Sequence, residues 1–180
     1  MRIMDAVTTA RERGIVALRL LVGWVFLWAG LEKVLRIGAP EEPFSAFGFL
    51  KFGTAGTWPG AAEGAVVNPT VDFWVGLTTN PTAMTIVNFI VPFGQVAIGA
   101  ALMLGLATRF ASVMGFLMMA GFMVAAWDFG HGIVNQHAVY ALSALILGYV
   151  RAGEVFGLDA LIEKRVSLVQ RTPALRYVLG

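Results

Sequence analysis

An imidazole, a phenol and an ammonium, each close to a side-chain amide, are the groups in this chain that could move a proton or hold an anion. His137 and Tyr140 stand three residues apart at the head of an apolar run, just after Asn135 and Gln136. Residues at i and i+3 share a helix face, and an imidazole titrates near neutrality, so it can exchange a proton with a bound group. Lys33 closes another apolar run, in register with Arg19, Gly23, Phe26 and Gly30 at steps of four, three, four and three. Small residues on such a face let a neighbouring helix approach, and a charge sits at each end of it. Asn88, Pro92 and Gln95 fall on one face of a further run, at i, i+4 and i+7. The proline frees the carbonyl of Asn88, so these amides are either glue between helices or the wall of a polar cavity. Trp127, Asp128 and His131 precede the His137 run. Two histidines six residues apart lie on different faces of a helix, and no H-x-x-x-H pattern accompanies them. Neither a metal nor a haem is expected.

The elements that must position these groups are apolar. The chain is 58% hydrophobic and 13% charged, with a mean hydropathy of +0.76. Soluble domains carry about 25% charged residues, so a water-soluble body of this composition would expose large apolar patches. The basic pI near 9.3 rests on a net charge of only +2 with no basic cluster, which argues against nucleic acid as a partner. There is no cysteine, so thiol chemistry on this chain is excluded.

Four runs approach the ~20 residues that cross ~30 Å of hydrocarbon. They place transmembrane helices at about 15–34, 84–104, 110–127 and 133–150 of a single all-α membrane domain. The first is expected to be an uncleaved helix, because no small-x-small cleavage site precedes Glu32. Arg2, Arg11, Arg13, Arg109, Arg151, Lys164, Arg165, Arg171 and Arg176 gather on the side that holds both termini. By the positive-inside rule that side is cytoplasmic, in a multi-pass protein of the plasma membrane. Lys33, Asn88, Asn135, His137 and Tyr140 then all fall in the outer half, whereas the inner half offers Arg19. Arg19 and Lys33 also have a plain reading, in which each snorkels to its nearer interface. A lone intramembrane histidine is, as plainly, hydrogen-bonded structure.

The connection over 36–82 is long and aromatic, with Phe44, Phe47, Phe49, Phe52, Trp58, Phe73 and Trp74. Such a segment either lies in the bilayer interface or folds over the mouth of the bundle. Beyond the last run, Leu158, Leu161, Ile162, Val166 and Val169 recur at helical spacing against charged residues. This predicts an amphipathic cytoplasmic helix over 156–172, an anchor or a partner contact. Met114, Met118, Met119 and Met123 read as adaptable packing or as a groove for an apolar tail.

The run Phe26-Leu27-Trp28-Ala29-Gly30-Leu31-Glu32-Lys33 resembles the first-helix signature of the DoxX/DoxD-like membrane proteins. Gly94-Gln95-Val96-Ala97-Ile98-Gly99, leading to Leu104-Gly105-Leu106-Ala107-Thr108-Arg109, is similar to the family's "G-E-x-x-x-G … L-G-l-x-T-R". Asn135 matches an Asn that opens the last helix in the DoxD branch, and Ala152-Gly153-Glu154-Val155-Phe156-Gly157-Leu158-Asp159 resembles the closing "a-G-…-G-L-D". The DoxD branch is the large, membrane subunit of thiosulfate:quinone oxidoreductase. The resemblance implies a four-helix bundle, a quinone, and a small anion such as thiosulfate oxidised at the outer face. His137, Tyr140 and Lys33 would then be catalytic, and Asn88, Gln95, Asn135 and Trp127 would surround the quinone. His131 and Arg19 would join Lys33 in drawing in the anion. A second redox subunit and a homo-oligomer are the implied partners, beside the lipid. The alternative is a non-catalytic scaffold that anchors a redox partner. One departure matters: Gln95 stands where the family usually has a Glu, so this position cannot titrate.

Overall fold

The computed structural model describes residues 2–57, 68–129, 132, 134–165 and 178–179, with side chains from Thr8 onward. The described residues are helical apart from turns and one isolated β-bridge between Asp128 and Gly132. Helix α1 runs Arg2–Leu35, α2 Val71–Leu77, α3 Pro81–Leu104, α4 Thr108–Ala125, α5 Gln136–Tyr149 and α6 Leu158–Arg165. A π-helical turn occupies Phe49–Gly53 within the long connection.

Local rules fix the ends of these helices. Asn80 accepts from the N–H groups of Thr82 and Ala83, and Pro81 takes the first helical position, so α3 starts three residues before the expected 84. Gly105 ends α3 at φ +64°, a left-handed conformation that costs a glycine nothing. Asn135 caps α5 by accepting from His137 and Ala138. The cap overrides the apolar pair Ile133-Val134, and the helix begins at Gln136 rather than 133.

Among the described residues, three segments are long and apolar enough to cross a membrane: Thr8–Leu35 of α1, then α3 and α4. Helix α5, expected as a fourth span, covers 14 residues, or about 21 Å. It nonetheless belongs to the bundle. Helices α1, α3, α4 and α5 form a ring of alternating direction in which α1 packs closely on α3 and α4 on α5. The seam between α3 and α4 is much thinner. Phe26, Leu102, Leu147 and Met119 fill the shared core.

The α1–α3 pair is close because glycines line it, as the spacing of Gly23 and Gly30 implies. A Cβ on Gly30 would sit 2.6 Å from the backbone nitrogen of Val96, and one on Gly99 would sit 2.3 Å from that of Leu27. Around the outside, Leu21, Trp24, Trp28, Phe89, Leu142 and Tyr149 are exposed. In water such a surface would drive aggregation; in a bilayer it is the surface that meets lipid tails.

Candidate functional site

The thin α3–α4 seam opens into a groove of about 910 Å³. Its walls are apolar for most of its length: Ile90, Val91, Gly94, Ala97 and Ala101 from α3, and Phe110, Met114, Leu117, Met118 and Gly121 from α4. Polar side chains enter only near one end, where Lys33, Ser45 and His137 line it. Phe44, Phe49, Leu50, Trp74 and Leu77, from the long connection, complete that end. The described parts of the connection, 36–57 and 68–80, thus cover this end of the groove.

The cover is tied down by two amides. Asn88 on α3 accepts from the Ala46 N–H at 2.8 Å, fixing the first half of the cover to the bundle. Asn68 is buried and bridges the second half: its amide donates to Ala125 O at 2.8 Å and Thr54 O at 3.3 Å, while its oxygen accepts from Thr70. Thr70 in turn accepts from the Trp74 indole at 2.9 Å, which sets that ring in the groove wall. Asn68 carried no signal in the sequence, because an Asn before Pro in a long aperiodic segment looks like any turn. Removing its side chain leaves the Ala125 carbonyl and the Thr70 N–H without their partner. Asn68→Ala is expected to destabilise the cover by about 1–3 kcal/mol and to speed amide exchange over 44–57 and 68–77, leaving α1 and α3 protected. Hydrogen-exchange mass spectrometry in detergent measures this directly.

The residues singled out in the sequence divide between the groove and its supports. Lys33 is half-buried, lines the groove and donates to Ala29 O at 2.9 Å, one turn back on its own helix. His137 lines it too. Its ring stands edge-on to Phe122 at 5.9 Å, and its Nδ1 is buried with no partner among the described residues. Tyr140 is packed against the apolar core one turn along α5. Asn135 is engaged throughout: beyond capping α5, its amide donates to Met123 O at 3.2 Å and Ala126 O at 3.4 Å, clamping α4 to α5. Trp127 stacks on Phe129 at 4.9 Å, and its indole N–H lacks a partner among the described residues. Gln95, only 3% exposed, lies on the α1 side of α3 against Gly30, with Oε1 unpartnered. His131 falls outside the described residues.

Arg19 lies at the opposite end and does not snorkel. It is 2% exposed and turned inward, donating to Ala152 O at 2.5 Å, Val155 O at 2.9 Å and Phe156 O at 3.3 Å. Beside it Asp159 is buried and accepts from the Ala107 N–H at 2.7 Å and the Thr108 N–H at 2.9 Å. Its own N–H donates to Gly105 O at 2.9 Å. The segments Leu104–Arg109 and Ala152–Asp159 thus meet in one knot with α1. Helix α6 carries Asp159 into this knot, so its first turn is an internal tie as well as part of the amphipathic tail. The remainder of the segment expected to 172 lies outside the described residues.

No group of three or more His, Asp or Glu side chains that could hold a metal occurs among the described residues. What the groove offers is a long apolar channel with hydrogen-bonding groups at one end, suited to an amphiphile. Bundle, exposed apolar surface and groove together define a multi-pass membrane protein. A family model described as "TQO small subunit DoxD" matches residues 15–178, and the chain belongs to that family. That description makes DoxD the small subunit, correcting the large-subunit role implied by the resemblance. No solved structure matches the chain.

Proposed function

We propose that this chain is the membrane subunit of a quinone-linked oxidoreductase that takes electrons from a small anion, such as thiosulfate, at the outer face of the plasma membrane. The observation that carries the reading is the groove: its hydrogen-bonding side chains gather at one end, and the rest of it suits an apolar body. A quinone has that division, with carbonyl oxygens on a ring and a hydrocarbon tail. The donor set fits, since Lys33 can donate to an oxygen and the His137 ring has a nitrogen with no partner among the described residues. Reduction of a quinone takes up protons, and His137 is the residue placed to hand one over. Lys33 supplies the positive charge that draws an anion to the mouth, in a medium where Coulomb attraction is weakly screened. Without cysteine the chain can form no protein persulfide, so the anion gives up its electrons directly or on a partner subunit. Helix α5 takes the fourth crossing, which leaves both termini on the arginine-rich, cytoplasmic side.

Two measurements test this. Organic extraction of the purified protein should release quinone, and the protein with its partner should reduce a short-tailed quinone when given thiosulfate. His137→Ala is expected to lower that rate by about 100-fold or more while leaving the helical content intact. Quinone-free protein whose rate is indifferent to His137→Ala would show the chain to be a scaffold for its redox partner.

A further inference from the structure

The geometry points to the α3–α4 groove as a track that selects the quinone by its polyprenyl tail, and so to Ala97 and Ala101 as specificity-determining residues. This rests on the quinone reading above and goes beyond it, to which part of the molecule each end of the groove receives. The lining on α3 extends from Val87 to Ala101 and on α4 from Phe110 to Ala125, about 21 Å and 22 Å along the two helices. Half of a ~30 Å hydrocarbon core is ~15 Å. The groove therefore runs past the membrane midplane, much further than a quinone ring at the Lys33–His137 end requires.

Its shape along that length suits a slender chain. On α3 the wall includes Gly94, Ala97 and Ala101, small residues among larger ones that leave room along it, and on α4 it includes Met114 and Met118, unbranched side chains that adapt to an irregular guest. The groove is not enclosed, and the ring of Phe110 in its lining is exposed, so a tail can enter sideways from the bilayer. A tail already dissolved in lipid gains almost nothing by leaving water, because water is not what it leaves. Any preference must come from how well the chain fits between the helices. Filling the track then costs long-tailed quinones the contacts that short-tailed ones never make. Ala97 is exposed and Ala101 half-buried, so each can be enlarged without breaking the core.

The experiment compares binding of two quinones with the same head, one with a short alkyl tail and one with a full polyprenyl tail, to the detergent-solubilised full chain. The polyprenyl form should bind about tenfold more tightly, the discrimination typical of a small change in apolar fit. Ala97→Phe should erase that difference and leave binding of the short-tailed quinone unchanged; Ala101→Leu, a milder block further along, should do the same if Ala97→Phe proves unstable. Equal loss for both quinones would overturn the assignment, because the variant would then be disturbing the head. No effect on either would place the tail elsewhere and also overturn it, while leaving the quinone reading intact. A groove that takes a phospholipid of matched chain length as readily as the polyprenyl quinone overturns it as well. If the wild-type chain binds neither quinone, the proposed function itself fails. His137→Ala separates the two claims, since a head-binding residue must weaken both quinones alike.

Discussion

Arg19→Met should cost the bundle about 3–5 kcal/mol, more than any single change at the groove end. The side chains are close in length, so the effect isolates charge and hydrogen bonding from packing. In the native chain the guanidinium donates to three carbonyls, those of Ala152, Val155 and Phe156, at the turn where the chain leaves α5. Methionine takes that donor from all three, leaving Ala152 O only a long bond from the Val155 N–H at 3.4 Å, and a buried carbonyl without a partner costs about 1–3 kcal/mol. Gly105 and Gly157 pack directly on the guanidinium, so it ties both segments of the joint to α1. The Asp159 carboxylate, attracted to Arg19, loses that compensating charge as well. Arg19→Lys should recover only part of the stability, because one ammonium cannot span three carbonyls that a planar fork reaches. Thermal denaturation in detergent should rank the wild type above Arg19→Lys and Arg19→Met lowest. Equal midpoints for all three would show the carbonyls to be satisfied in some other way.

This knot explains why Arg19 was the hardest residue to place from sequence. Its position one turn from the charged end of an apolar run is compatible with snorkelling, and its carbonyl partners lie 133 or more residues further along the chain. Backbone carbonyls carry no residue-type signature, so no spacing rule could pair them with it. The motifs Leu104–Arg109 and Ala152–Asp159, two of those on which the family resemblance rests, meet here, at the end of the bundle opposite Lys33 and His137. Their shared glycines, together with Asp159 and Thr108, make a structural joint. By contrast, Gly23, Phe26 and Gly30 were legible as a helix-facing stripe, because a periodicity of three and four reports a face whatever packs on it.

At the groove, polarity and depth in the sequence do not separate the residues that line the cavity from those that support it. Lys33 and His137 do line one cavity. Asn88 and Asn135 look identical to them by polarity and depth, yet each is consumed by backbone partners, one holding the cover and the other capping α5. The capping rule alone would have flagged Asn135, since Asn just before an apolar helical run is a preferred N-cap. The register of Gln95 with Asn88 leaves both helix glue and a cavity wall open. One turn of helix beyond a proline, Gln95 faces α1 and not the thin seam. The seam itself is a gap between two helices, and a gap leaves no mark on either strip of sequence.

Gly99→Ala should cost the bundle up to about 2 kcal/mol, although it adds a single methyl. The added carbon would lie 2.3 Å from the nitrogen, 2.6 Å from the Cα and 2.7 Å from the Cβ of Leu27. Two of those atoms are backbone inside a membrane-spanning helix, so no rotamer change relieves the overlap. The helices must part, and α1–α3 is the closest pair in the bundle. Alanine normally stabilises a helix relative to glycine by about 0.8–1.0 kcal/mol, a gain that overpacking of about 1–3 kcal/mol more than cancels. The position-specific signature is a ranking. Gly99→Ala and Gly30→Ala should fall well below Gly23→Ala, whose nearest contact, at 3.0 Å, includes the movable side chain of Met103. Gly121→Ala, with nothing within 4 Å of its added carbon, should match or exceed the wild type. Thermal midpoints of the four variants decide it: if Gly99→Ala melts with Gly121→Ala, the α1–α3 contact is not held by glycine, and the groove on the far side of α3 loses its rigid wall.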